Sequence, residues 1–245
     1  MKSAILAALL LLAFAASAQA PATAPVALKD EPHHHFQFDN EYTRVWTFGI
    51  TGHDAALLHA HDNNYVGIAL GAGDFTNAVT GKPETHVVLK DAQITYTKGG
   101  FTHFVRTDTD TSFRNFTIEL LKPQGTARNL CVKVIADGAL DCSPAAGSAF
   151  AAATTPVFET DEIYVRLGSV SSPLQIAGVD AGSARLLCAL DQSELSVEIT
   201  GQPAKKLHGG EAAWLPAGVV ASLGKPGAAE ARFVMISFKD SAPKS

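Results

Sequence analysis

The chain repeats itself at an offset near 120 residues, and this self-similarity constrains its fold more than any other feature. Glu41-Tyr42-Thr43-Arg44-Val45 reads against Ile163-Tyr164-Val165-Arg166-Leu167, with the tyrosines and arginines 122 apart. Gly81-Lys82-Pro83 reads against Gly201-Gln202-Pro203 at 120. Gly100, Arg114 and Ile118 read against Gly218, Arg232 and Ile236, each at 118. The offset drifts in one direction, as small loop deletions cause. The ordered set predicts two copies of one fold, at 36–122 and 157–239. A hairpin and an Ala-rich linker occupy 123–156, and a short tail occupies 240–245.

Neither copy carries long helical periodicity. Short β-branched and aromatic runs alternate with Gly, Pro, Asp and Asn turns, for example Arg44 to Phe48, Tyr65 to Leu70, Phe116 to Leu121 and Phe233 to Phe238. The fold class expected is all-β, a sandwich or barrel. Hydrophobic residues make up 47% of the 245 and charged residues 18%, which excludes intrinsic disorder. The net charge is −5 and no basic block occurs, so no nucleic-acid partner is expected.

The N-terminus has its own character. Lys2 precedes an apolar run, Ala4 to Ala16, and Ala18-Gln19-Ala20 supplies the small residues of a cleavage site. This predicts a secretory signal peptide at 1–20, followed by an N-terminal arm at 21–35. The run is shorter than the roughly 20 apolar residues of a membrane span, so no span is expected after cleavage. The localisation implied is secreted or periplasmic. Export permits disulfides, and Cys131 and Cys142 flank an Asp137-Gly138 turn signal. A disulfide between them would staple that hairpin. Cys188 lies in an apolar run and reads as a core residue.

The nine histidines carry the chemistry. His59-Ala60-His61 puts two imidazoles on one side of a strand. His103 begins another strand just after Lys98-Gly99-Gly100, and antiparallel pairing could bring it beside them. Three neutral imidazoles converging in this way suit a divalent transition metal with open positions. In Pro32-His33-His34-His35, consecutive residues point to opposite sides, so at most two can face one ligand. One of them, with His35 as the candidate, is expected at a pocket rim. His53, His86, His208 and Asp62 read as exposed. Gly67 and Ala69 share the inward parity, and their small side chains would leave room for a ligand. Gly71-Ala72-Gly73 lacks the helix of a dinucleotide fingerprint, and no nucleophile-elbow motif occurs.

These residues together resemble the cupin superfamily, in its two-domain bicupin form. Gly52, His59, His61 and Gly71 follow the family's first motif, with Tyr65 where its metal-binding Glu would stand. Lys98-Gly99-Gly100-Phe101-Thr102-His103 follows the second, with Thr107 at its Asn position. Pro216-Ala217-Gly218-Val219-Val220-Ala221 is a second, degenerate copy in which Ala221 replaces the histidine. The resemblance implies two tandem jelly-roll (double-stranded β-helix) barrels with a metal site in the first only. It implies His59, His61 and His103 as ligands to a divalent transition metal, Fe before Mn, Ni, Cu or Zn. Tyr65 and Thr107 become pocket or supporting candidates. Two functions stay open. One is a metal-dependent oxygenase or isomerase acting on a small chelating molecule. The other is a non-catalytic module binding a small molecule or carbohydrate. A monomer or homodimer is expected by the same resemblance.

Overall fold

The computed structural model describes residues 24–130, 133–134, 140–141, 154–170, 174–175, 182–226 and 230–239. The expected signal peptide and the Cys131–Cys142 pair lie outside the described residues. The strands of the expected hairpin are described, with Lys133–Val134 antiparallel to Leu140–Asp141.

The N-terminal copy is built from ten strands. They are β1 (Val26–Ala27), β2 (His34–Asp39), β3 (Thr43–Ile50), β4 (His59–His61), β5 (Asn64–Ala69), β6 (Gly73–Val79), β7 (Thr85–Leu89), β8 (Ile94–Thr97), β9 (Phe101–Arg106) and β10 (Phe113–Leu120). One 3-10 turn, Leu28–Asp30, follows β1. The strands form two five-stranded sheets, ordered β2-β3-β10-β5-β8 and β1-β4-β9-β6-β7. The arm is part of the barrel, since Val26 and Ala27 pair in parallel with His59 and Ala60, and β2 begins at His34.

The second copy repeats this order. Its larger sheet runs Arg128–Asn129, Thr155–Glu159, Ile163–Val170, Ala231–Phe238, Ala184–Ala189, Ala212–Leu215. Its smaller sheet runs Leu174–Gln175, Ala221–Gly224, Glu194–Ile199, Lys205–His208. The repeated glycines have one physical reason, because Gly81 and Gly201, and Gly100 and Gly218, all take positive φ. One sequence match moves. Thr43 pairs with Leu120 and Ile163 with Phe238, so Thr43, and not Glu41, is the counterpart of Ile163. Tyr42 and Tyr164 are therefore two residues out of register. A shift of two keeps every side chain on its face, so alternation alone cannot detect it.

Alternation along β10 divides the interior. Phe116, Ile118 and Leu120 face out of the N-terminal barrel, while Phe113 joins Phe48, Ile50, Phe75 and Val105 inside it. The outward face packs on the matching face of the second copy, which supplies Phe158, Val165, Leu167, Leu186, Val234 and Ile236. Tyr42 stacks on Trp214 across this seam at 5.7 Å, and Tyr96 lies 5.8 Å from Phe158. Gln37 caps the edge, donating to the Gly210 carbonyl and accepting from Ala212 N–H. The matched arginines both cross over, Arg114 to Asp191 and Arg232 to Asp91.

The seam should dominate stability over its rim. Phe158→Ala is expected to cost about 3–5 kcal/mol in urea unfolding, because it leaves a cavity between rigid sheets. Arg232→Ala is expected to cost under about 1 kcal/mol, because its ion pair is partly exposed.

Candidate metal centre

Four imidazoles converge inside the N-terminal barrel. On β4, His59 and His61 are buried and flank Ala60, so both rings enter the interior. His103 on β9 stands directly opposite His59. The fourth ring comes from the other sheet. His34 pairs with the inward Phe48 and therefore points inward itself, whereas its neighbour His35 is exposed. Ring centroids lie 5.0 Å apart for His59 and His61, 4.6 Å for His59 and His103, 5.0 Å for His61 and His103, and 4.9 Å for His34 and His59.

Hydrogen bonds orient these rings. His59 Nδ1 lies 2.7 Å from the Leu57 carbonyl, His34 Nδ1 2.7 Å from Glu31 Oε2, and His103 Nδ1 2.7 Å from Asn77 Oδ1. These oxygens only accept, so each Nδ1 donates and each Nε2 keeps a bare lone pair. His103 Nε2 is buried with no partner. One ring nitrogen from each of His34, His59 and His61 lies within 4.8 Å of the others. His59 Nε2 and His61 Nε2 are 3.2 Å apart. Two nitrogens about 2.1 Å from one ion and about 100° apart would be separated by roughly that distance. Bare imidazole nitrogens facing one another, with the rings of His34, His59 and His103 held from behind, fit a divalent transition ion.

The electrostatics agree with this fit. Burial pushes His59 down to about 4 and His103 down to about 3. Burial, and then the neighbouring imidazoles, hold His61 still further below the usual range. The rings are thus neutral, the form that ligates. Glu31 is the converse. Burial alone would raise its carboxyl, but hydrogen bonds from His34, His33 and the Leu57 N–H hold it at about 2. Burial also disfavours charge on His33, yet Glu31 and Asp54 outweigh it and raise that ring.

The other expected residues are distributed less evenly. Tyr65 stacks on His61 with centroids 4.6 Å apart. Burial pushes its hydroxyl up, against a hydrogen bond with Thr97, so it forms a neutral wall beside the cluster. Phe101 stacks on the same ring at 5.5 Å. Gly67 does not leave the expected room, because an added Cβ would sit 2.6 Å from Thr95 Oγ1. Ala69 packs with Phe48, Phe75 and Phe113 below the histidines. Thr107 is buried but turned to a loop, donating to the Thr51 carbonyl at 2.5 Å and accepting from Asp54 N–H. His35 lines a crevice of about 480 Å³ between the barrels with Thr47, Arg114 and Gly210. His53, His86, His208 and Asp62 are exposed, as the sequence implied. Near the cluster, Glu119 accepts from Trp46 Nε1 and Asn63 Nδ2, both at 3.0 Å.

Sequence reasoning missed His34, Glu31 and Asn77. Alternation showed that one or two of the three consecutive histidines turn inward, and the pairing of β2 with β3 decides which. In the second barrel, Ala221 at the His103 position is fully buried among Leu195, Leu207, Leu223 and Met235. That interior is mainly hydrocarbon, with the buried Arg185 donating to the Val219 carbonyl, where the first holds imidazoles.

No family profile matches the chain, and no curated protein sequence does. Solved structures do. The structure of AerE from Microcystis aeruginosa is similar with a TM-score of 0.57 at 13% identity, over 85% of this chain and 98% of that one. Vicilin from Solanum melongena is similar at 0.56 and 11% identity, over 86% and 83%. A variant of salicylate 1,2-dioxygenase from Pseudoaminobacter salicylatoxidans, in complex with gentisate, is similar at 0.56 and 13% identity, over 88% and 76%. The chain has the cupin fold in two-barrel form.

The depressed histidines set a pH dependence. An unfolded histidine takes up a proton near pH 6.5, while folded His59 does so only near 4. As pH falls from 6.5, the unfolded state binds protons that the folded state refuses, so stability falls. Glu31 enters only below its unfolded value of about 4.5. The metal-free protein should therefore lose unfolding free energy steadily between pH 7 and 5, by at most about 1.4 kcal/mol per pH unit for each such histidine, and its Tm should fall with it. A flat Tm across that interval would mean that these rings charge freely in the fold.

Proposed function

We propose that this chain binds a divalent transition metal through His34, His59, His61 and His103 and uses it on a small chelating molecule. The observation that carries the reading is the set of three imidazoles whose Nδ1 protons are each taken by an oxygen behind the ring. This leaves their Nε2 lone pairs turned inward. Bound there, such an ion would supply Lewis acidity or oxygen activation to a ligand that chelates it. The chain's own contribution is to hold the imidazoles neutral, to keep water out with Tyr65 and Phe101, and to support the site from Glu31 and Asn77. An oxygenase or isomerase acting on a small anionic or aromatic molecule is the activity favoured. The likeness to a dioxygenase solved with gentisate, and the stacked aromatic walls, support that class. Iron is the first choice of metal. The leader-like Ala4 to Ala16 run and Ala18-Gln19-Ala20 support a location outside the cytoplasm.

A second reading, a binding module without turnover, is favoured by one feature. The space anticipated beside Gly67 is taken by Thr95, which narrows the interior next to the histidines. Nor does a fold by itself imply catalysis.

Metal analysis of the mature protein, purified without a histidine tag, tests the first reading. About one equivalent of transition metal is expected. Loss of supporting partners alone weakens metal sites about 10–100-fold, so His59→Ala and His103→Ala should do at least as much. Protein that holds no stoichiometric metal after loading would end the proposal. Oxygen uptake with diketones, thiols and hydroxybenzoates then separates the oxygenase from the binding module.

A further inference from the structure

The resemblance leads one to expect a carboxylate among the ligands, and Tyr65 stands in its place. A different carboxylate lies one bond further out. Glu31 follows the Leu28–Asp30 turn, outside every strand of the barrel, and its side chain is fully buried. It accepts from His34 Nδ1 at 2.7 Å, His33 Nδ1 at 2.9 Å, His33 N–H at 3.0 Å and Leu57 N–H at 3.2 Å. The carbonyl of that same Leu57 accepts from His59 Nδ1 at 2.7 Å. Glu31 is thus wired to two of the four imidazoles, directly to His34 on one sheet and through a single residue, Leu57, to His59 on the other.

This wiring has a chemical consequence. Free imidazole divides its proton between two nitrogens, and only the form protonated on Nδ1 offers Nε2 to an ion in the cavity. A carboxylate cannot donate, so its contact with His34 Nδ1 selects that form and fixes the ring plane. Its negative charge also stands behind a site made of neutral donors and helps to compensate an ion of charge +2.

We infer that Glu31 is the positioning residue of the metal centre: it keeps the His34 proton on Nδ1 and aims Nε2 into the cavity. The inference rests on reading the histidines as a metal site, and its test separates the two.

The mature protein, metal-free, is compared with Glu31→Ala, Glu31→Gln, His34→Ala and the double variant His34→Ala/Glu31→Ala. Nitrogen-15 NMR of the ring nitrogens gives the tautomer of His34 without any metal. The wild-type ring is expected to be protonated on Nδ1, and Glu31→Ala is expected to lose that preference. Cobalt(II) titration followed by its visible absorption gives the affinity and the ligand field. Glu31→Ala should weaken cobalt binding about 10–100-fold and shift the absorption bands. In the His34→Ala background the same change should weaken binding several-fold less, because only the route through Leu57 to His59 and the carboxylate charge remain to be lost. Glu31→Gln retains one accepting oxygen, which can hold His34 Nδ1 and His33 N–H or else His33 Nδ1 and Leu57 N–H, but not both sets. It should fall between wild type and Glu31→Ala, and it serves if Glu31→Ala does not fold.

Wild-type His34 protonated on Nε2 would overturn the inference. So would an undiminished effect of Glu31→Ala in the His34→Ala background, which would make Glu31 a tie for the chain only. Failure of the unmutated protein to bind cobalt would overturn the metal reading instead, and the NMR result would still decide the hold of Glu31 on His34.

Discussion

The seam between the barrels is the interaction on which the rest depends. In each copy one sheet, β2-β3-β10-β5-β8 in the first and the six-stranded sheet in the second, is apolar on the face turned away from its own barrel. Val45, Val66, Ile68, Ile94, Phe116 and Ile118 line that face in the first copy. Exposed to water, it would form an apolar patch larger than a monomeric domain ordinarily carries. The second copy covers it with Phe158, Val165, Leu186, Val234 and Ile236. The duplication is therefore a physical requirement as much as a historical trace. Each barrel supplies the surface that the other must bury.

Because the seam carries so much of the burial, the interiors are free to diverge. The second barrel is filled with Leu187, Leu195, Leu207, Phe233 and Met235 and adds a second hydrocarbon core. The first holds Asn115, Thr117 and Glu119 on the inward side of β10, together with four histidines, and a small apolar base around Phe75 and Phe113. Buried polar groups are costly unless they are bonded. Most are bonded here. The exceptions in this interior are His61 Nδ1 and His103 Nε2, in the cluster where an ion would be received, and Asn115 Oδ1, opposite Phe48 and Ala69.

What was legible in the sequence follows from what each signal measures. Alternation along a strand reports faces, so the spacing of His59 and His61 alone places them on one side. The turn glycines report backbone angles, so Gly100 and Gly218 marked the repeat. Neither signal reports which strands become neighbours. Asn77 meets His103 because β6 pairs with β9, a choice made by the topology of the whole barrel. Glu31 belongs to no motif and acts through hydrogen bonds formed when the arm is laid along β4. Thr107 fell short for the opposite reason. Its motif position was legible, but the hydroxyl found its acceptor in the neighbouring loop after β3, at the Thr51 carbonyl.

Cys188 illustrates what the seam implies beyond stability. It lies on Ala184–Ala189 with its thiol turned to the shared core, fully buried, and burial pushes the thiol well above its ordinary range. A thiol that is neither ionised nor exposed does not react with an alkylating reagent. Reagent reaches this sulfur only when the two sheets that face each other across the seam part. The rate at which Cys188 becomes labelled is therefore a clock for separation of the barrels, built into the seam itself.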